Sequence, residues 1–209
     1  MTTLTRHRPL TGLYDAAAAT WQAGVDRLGY PAAYKALFAT LDGDAAETVL
    51  DAGTGSGAFA AAYLDAHPAP KSLTLLDTSA AMLTEAESRL AHRAAGIRTV
   101  HAGIGTDVLD RGAFDMILAA HVIEHLDDAG TALAWLHQHL APGGRLVLAV
   151  SRPHWCTALL RWKWGHKAYR PHTVQELLER AGFVGICHVP FPSGPPARTS
   201  AGYTARRPH

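Results

Sequence analysis

The 209-residue chain has little cysteine, no long apolar run and one long stretch without any acidic residue. Its two cysteines, Cys156 and Cys187, stand apart, which excludes a disulfide framework and a metal knuckle of paired thiolates. No apolar stretch approaches the ~20 residues that cross a bilayer, and Met1 to Pro9 lack the apolar core of a signal peptide. A cytoplasmic protein with no membrane association is therefore expected. Hydrophobic residues at 48% against 18% charged residues fit a chain that folds around a core. Its length fits one domain over residues 1–209.

The formal net charge of +1 conceals a division: 16 of 18 acids, but only 9 of 19 Lys and Arg residues, precede residue 129. Between Asp128 and Glu176 no acid occurs. A basic half of this kind suits an anionic small molecule or a nucleic acid, and equally a set of solvated side chains with no partner.

The strongest local signal is Thr48-Val49-Leu50-Asp51-Ala52-Gly53-Thr54-Gly55-Ser56-Gly57-Ala58, a buried strand that enters a glycine turn and then a helix. A second apolar run, Leu73 to Leu76, ends in Asp77. In a doubly wound sheet such a turn lets backbone approach a nucleoside closely, and an acid ending the second strand takes ribose hydroxyls. Gly53, Gly55 and Ala58 also satisfy the dinucleotide pattern G-x-G-x-x-A. Asp51 argues against a dinucleotide, because its carboxylate would repel a pyrophosphate at the helix N-terminus. The same carboxylate suits a ligand that carries an ammonium and a sulfonium and has no phosphate.

Further along, Ser79 is a plausible N-cap for a helix with Met82, Leu83, Ala86 and Leu90 on one face. Residues 97–101 and 114–120 read as the third and fourth strands, the latter apolar on both faces. A helix over about 131–140 is expected to stop at Pro142-Gly143-Gly144, which then feeds a strand over 145–150. Thr173-Val174-Gln175-Glu176 has capping-box form and is expected to open a helix that ends at Ala181-Gly182. Strands over 183–189 and 199–206, separated by the proline-rich 190–196, complete the pattern. Alternation of strand and helix implies a parallel sheet with helices on both faces.

Val49 to Gly57 reads apolar-apolar-Asp-x-Gly-x-Gly-x-Gly and resembles the first motif of the Rossmann-like (class I) S-adenosylmethionine-dependent methyltransferases of small-molecule type. Phe114-Asp115, Val122-Ile123-Glu124-His125-Leu126, Leu140 to Gly144 and Ala181-Gly182-Phe183 fall in register with similar phrases of that family. The resemblance implies a doubly wound α/β fold with a seven-stranded, mostly parallel sheet whose last strand is antiparallel. It makes residues 46–209 the core and residues 1–45 an N-terminal helical cap. It also implies S-adenosylmethionine as cofactor, with S-adenosylhomocysteine as product. Cofactor contacts are expected from Tyr14, Asp51, Gly53, Gly55, Gly57, Asp77, Thr78, Met82, Gly103, Ile104 and His121. Where the family usually offers an acid to the adenine amino group, this chain has Ala102-Gly103-Ile104-Gly105, so a backbone carbonyl must serve.

His121 follows the fourth strand and is the candidate catalytic base, since an imidazole is suited to take a hydroxyl proton near neutrality. His121, Glu124 and His125 also have metal-gathering spacing. No metal is expected, because relatives without one share the Glu-His-Leu phrase. Amide and base-nitrogen methyltransferases usually show an Asn/Asp-Pro-Pro-Tyr turn here, and Ala119-Ala120-His121-Val122 is unlike it. A planar-amine acceptor is therefore disfavoured, and oxygen, carbon or an aliphatic amine remains, with oxygen expected over nitrogen. His125, His154 and Trp155, with the basic, Trp-rich run that follows, are expected to shape the acceptor site. The expected partner is a small-molecule acceptor, anionic or aromatic, met by a monomer or homodimer; nucleic acid is not expected. Three alternatives stay open: an RNA methyltransferase using the basic half, a non-methylating enzyme such as a cyclase, and a binding-only protein.

Overall fold

Seven segments of the chain pair as seven strands of one sheet. The computed structural model describes residues 28–41, 46–94, 96–154 and 167–209. In chain order the elements are α1 (Tyr30–Phe38), β1 (Thr48–Ala52), α2 (Ala58–Ala66), β2 (Ser72–Asp77), α3 (Ala80–Leu90), β3 (Ile97–His101) and β4 (Phe114–Ala120). A 3-10 turn (Ile123–His125), α4 (Ala129–His139), β5 (Leu140–Ser151), α5 (Pro171–Arg180), β6 (Val184–Val189), α6 (Gly194–Thr199) and β7 (Ser200–Arg206) follow.

The strand order is β3-β2-β1-β4-β5-β7-β6, with β7 antiparallel to both neighbours and the other pairings parallel. This is the doubly wound α/β sheet that the resemblance implies. The order reverses between β1 and β4, and that switch point opens a crevice beyond the strands' carboxyl ends. Two cores flank the sheet. On one face Leu37, Phe38, Phe59, Leu83 and Leu90 of α1, α2 and α3 bury Val49, Met116 and Leu118. On the other, Leu133, Leu136, Val174 and Leu178 of α4 and α5 bury Leu50, Ile117 and Leu148. Met116 to Ala119 alternate between the cores along β4, so the middle of this central parallel strand is apolar on both faces, while Asp115 near its start is exposed.

The Ser79 cap is as expected: its Oγ accepts the Met82 amide at 3.2 Å. Two local expectations fail. Pro142-Gly143-Gly144 does not separate helix from strand, because α4 already ends at His139 and β5 starts at Leu140. The sheet absorbs the breaker as a register shift, with Leu140 opposite Phe114 and Arg145 opposite Met116. The Thr173 capping box is also not used. α5 begins at Pro171, whose fixed φ suits a first helical position, and Arg170 caps it without a side-chain bond.

Candidate active site

The glycine turn is built by three left-handed residues, Gly53, Gly55 and Gly57. Gly53 must be glycine twice over: its φ is +70°, and a Cβ would collide with the Val122 side chain from the loop after β4. Gly55, with φ +52°, would point a Cβ into open space, so the turn presents bare backbone to the crevice. The amides of Gly53 and Thr54 both donate to the Leu76 carbonyl, at 2.8 and 3.0 Å, which bonds the turn to the end of β2.

Asp77 completes that junction. Its carboxylate accepts the Gly55 amide at 2.8 Å and the Ser79 amide at 2.9 Å, fixing it between the turn and the start of α3. A carboxylate has about four lone-pair sites, so two remain for a pair of hydroxyls. Thr78 lies beside it, packed so closely on Gly103 that a Cβ there would sit 3.3 Å from the Thr78 methyl. Met82 is buried in the first turn of α3, and Ile104, in the loop after β3, is half-buried. Two residues of α4 brace its loop: Trp135 Nε1 donates to the Thr106 carbonyl at 3.1 Å, and His139 Nε2 lies 3.3 Å from that of Leu109.

Asp51 is the electrostatic anomaly. It is 1% exposed, its Oδ2 accepts the Thr54 hydroxyl at 2.6 Å, and its Oδ1 has no hydrogen-bond partner. Burial pushes its pKa up to about 7; the Thr54 bond opposes that rise and the nearby Asp77 charge adds to it.

Across the crevice, His121 is the only described non-glycine residue in the left-handed region, with φ 55°. Its amide donates to the Ala149 carbonyl at 2.8 Å. The strained backbone turns its ring so that Nδ1 lies 3.2 Å from Glu124 Oε1 and 3.1 Å from Ser151 Oγ. Glu124 Oε1 also accepts the Ser151 amide at 2.6 Å. Burial pushes the Glu124 carboxyl up, but His121 and the Ser151 amide outweigh it and hold the group below its ordinary value. His121 Nε2 is buried and has no hydrogen-bond partner. Two tyrosines of α1 stand beside the imidazole, Tyr30 edge-on at 5.3 Å and Tyr34 at 6.3 Å between ring centres. The Tyr30 hydroxyl is tied to those of Ser200 at 2.9 Å and Thr199 at 3.2 Å.

The structure thus gathers Asp51, Gly53, Gly55, Gly57, Asp77, Thr78, Gly103 and His121 at the carboxyl ends of β1 to β4. His125 follows in the 3-10 turn; burial holds its pKa below the ordinary value, Glu124 opposing and His121 adding to the effect. His154 lies just past β5 and is half-buried. Tyr14 and Trp155 lie outside the described residues. The sequence pointed to Tyr30 and Tyr34 as N-terminal residues able to close the pocket, and both stand beside His121; it did not reveal Glu124 as a partner of His121, nor Ser151, Trp135 and His139.

Several cations of the basic half are engaged with backbone carbonyls. Lys167 Nζ donates to Leu126 and Asp127, and Arg207 to Gln138 and Leu140.

A family model for a methyltransferase domain matches residues 20–188. The chain belongs to that family. It is 34% identical over 117 residues to the uncharacterized methyltransferase Rv0089 of Mycobacterium tuberculosis, a match covering 56% of this chain and 57% of that protein. The chain thus aligns with little more than half the length of this curated relative. Among solved structures, a chain of the Haloferax volcanii complex between the Trm112 methyltransferase activator and a putative methyltransferase superposes with a TM-score of 0.77. It is 19% identical, with 95% of this chain and 97% of that one covered. The Bradyrhizobium japonicum N-methyltransferase NodS, in complex with S-adenosyl-L-homocysteine, gives a TM-score of 0.65 at 26% identity, covering 84% of this chain and 86% of NodS. The fold of this methyltransferase-family chain is that of the S-adenosylmethionine-dependent enzymes.

Proposed function

We propose that the chain transfers a methyl group from S-adenosylmethionine to a small-molecule acceptor, at oxygen in preference to nitrogen. The observation that carries this reading is the pairing of a bare glycine turn with Asp51, whose orphaned, buried oxygen suits a cation and opposes a pyrophosphate. S-adenosylmethionine fits that donor set: Asp77 would offer its remaining lone pairs to ribose hydroxyls, Asp51 would balance the ligand's positive charge, and Met82 and Ile104 would offer apolar contact to adenine. When bound, this cofactor supplies an electrophilic methyl group on a sulfonium and leaves as a neutral thioether.

The chain's own contribution is binding, alignment and one proton. Holding an acceptor in line with the methyl supplies much of the rate. For a hydroxyl acceptor, His121 Nε2 takes the proton that must leave the oxygen, which accounts for an imidazole nitrogen kept without a partner. Tyr30, Tyr34 and His125, with His154 and Trp155 beyond β5, are assigned to the acceptor side, and Tyr14 to the cofactor.

Calorimetric titration with S-adenosylmethionine, S-adenosylhomocysteine and NAD tests the cofactor half. Binding of the first two, absence of NAD binding and loss in Asp77→Ala are expected. Absence of binding by either adenosyl ligand overturns the proposal. Radiolabelled methyl transfer to a panel of phenols, carboxylic acids and amines then reads out the acceptor atom.

A further inference from the structure

We infer that Glu124 is a positioning residue that fixes the His121 imidazole as its Nδ1–H tautomer and so leaves the Nε2 lone pair facing the acceptor. The inference rests on the reading of His121 as the base. It follows from what each atom around Nδ1 can do. Glu124 is 2% exposed and its Oε1 already accepts the Ser151 amide, so that oxygen meets Nδ1 as an acceptor. Its Oε1 is locked by the Ser151 amide at 2.6 Å and lies 3.2 Å from His121 Nδ1. A bare Nδ1 would set lone pair against lone pair in a buried site. A protonated Nδ1 forms a charge-assisted hydrogen bond there.

Ser151 Oγ, 3.1 Å from the same nitrogen, can either donate or accept, so it follows the tautomer without choosing it. The Ser151 backbone, by contrast, holds Glu124 in place. In the reaction the acceptor's O–H bond breaks and its proton settles on Nε2; the pair left on oxygen forms the new C–O bond as the methyl–sulfur bond breaks, whose pair departs on the neutral thioether sulfur. The imidazolium so formed lies against a carboxylate that is already in position. Glu124 touches neither acceptor nor cofactor in this account; it acts through His121.

The test is a long-range proton–nitrogen correlation spectrum of the full chain, with the His121 signals assigned from His121→Asn. Wild type is expected to show Nδ1–H over Nε2–H by about tenfold or more, the ratio that a hydrogen bond to a buried charge sustains. Glu124→Gln retains a carbonyl acceptor and is expected to keep that tautomer. Glu124→Met removes the acceptor and is expected to shift His121 towards Nε2–H. Ser151→Ala keeps the amide clamp and is expected to leave the tautomer unchanged.

An Nε2–H wild type overturns the inference even if Glu124→Met fails to fold. A Glu124→Met protein that keeps Nδ1–H overturns it as well. Kinetics separate this from the role of His121 itself. Glu124→Met should lower kcat by about a hundredfold with the acceptor KM little changed. Full turnover in His121→Asn would refute the base while the tautomer result stood.

Discussion

Replacing Asp51 by Asn should stabilise the fold in mildly alkaline solution, destabilise it in mildly acidic solution, and weaken cofactor binding throughout. In the folded chain the Asp51 carboxyl titrates at about 7, against 3.8 for the ordinary group. A buried acid with a raised value binds a proton more tightly in the folded state than in the unfolded one. Its contribution therefore turns against folding as pH climbs from about 4 to about 7. Three units at about 1.4 kcal/mol each put the full penalty near ~4 kcal/mol, of which ~2–3 kcal/mol accumulates between about pH 5 and about pH 8.

The Asn side chain carries no such penalty. It still accepts the Thr54 hydroxyl, but its amide N–H would take the place of Oδ1 without a partner, costing about 1–3 kcal/mol at every pH. Urea unfolding of both proteins near pH 5 and near pH 8 gives the double difference. His125, His137 and His188, which burial holds below the ordinary value, make both proteins less stable as pH falls below ~6.5 and cancel in the comparison. The stability difference should change by ~2–3 kcal/mol in favour of the Asp51→Asn variant as pH rises. Parallel curves for the two proteins would refute the reasoning. In wild type, affinity for S-adenosylmethionine should rise with pH until Asp51 is ionised; in the variant it should stay flat and weaker.

Gly53→Ala should cost about 2–3 kcal/mol from the left-handed φ and the Val122 collision together, and Val122→Ala in the same chain should recover only the collision, read by denaturant midpoints. Trp135→Phe releases the loop carbonyl of Thr106 and should weaken S-adenosylhomocysteine binding by about two- to fivefold in calorimetry, with stability lower by ~1 kcal/mol. Tyr30→Phe loses its bonds to Thr199 and Ser200; it should cost ~1 kcal/mol in urea and raise the acceptor KM, with cofactor affinity unchanged.

What could be read from sequence was local or periodic. The turn at Gly53 to Gly57 and the Ser79 cap complete their main bonds within a few residues or with the adjacent strand. The alternation along β4 is a packing rule written directly in residue type. The number of strands and the antiparallel last strand followed from the resemblance, and the parallel pairing of the others from the strand–helix alternation.

The His121–Glu124 contact was hidden for a physical reason. Their spacing suggests one helical face, but His121 has a left-handed φ that no residue type announces, and only a 3-10 turn follows. The β5 start was missed because sheet pairing overrode a Pro-Gly-Gly breaker. Trp135 and His139 looked like core residues of a helix, and they are; their polar atoms reach loop carbonyls nearly 30 residues away. Tyr30 and Ser200 lie too far apart in the chain for any pattern to join them.

The stitching of α1 to the far end of the chain sets an order of assembly. Tyr30 bonds to Ser200, 170 positions later, and Leu37 seats so closely on Gly202 that a Cβ there would overlap its methyls. β7 must slot between β5 and β6 before either contact exists. On a ribosome the cofactor turn, β2 and β4 emerge long before that strand. A nascent chain can therefore form the glycine turn and its bonds to β2 while Tyr30, beside His121, still lacks its anchor.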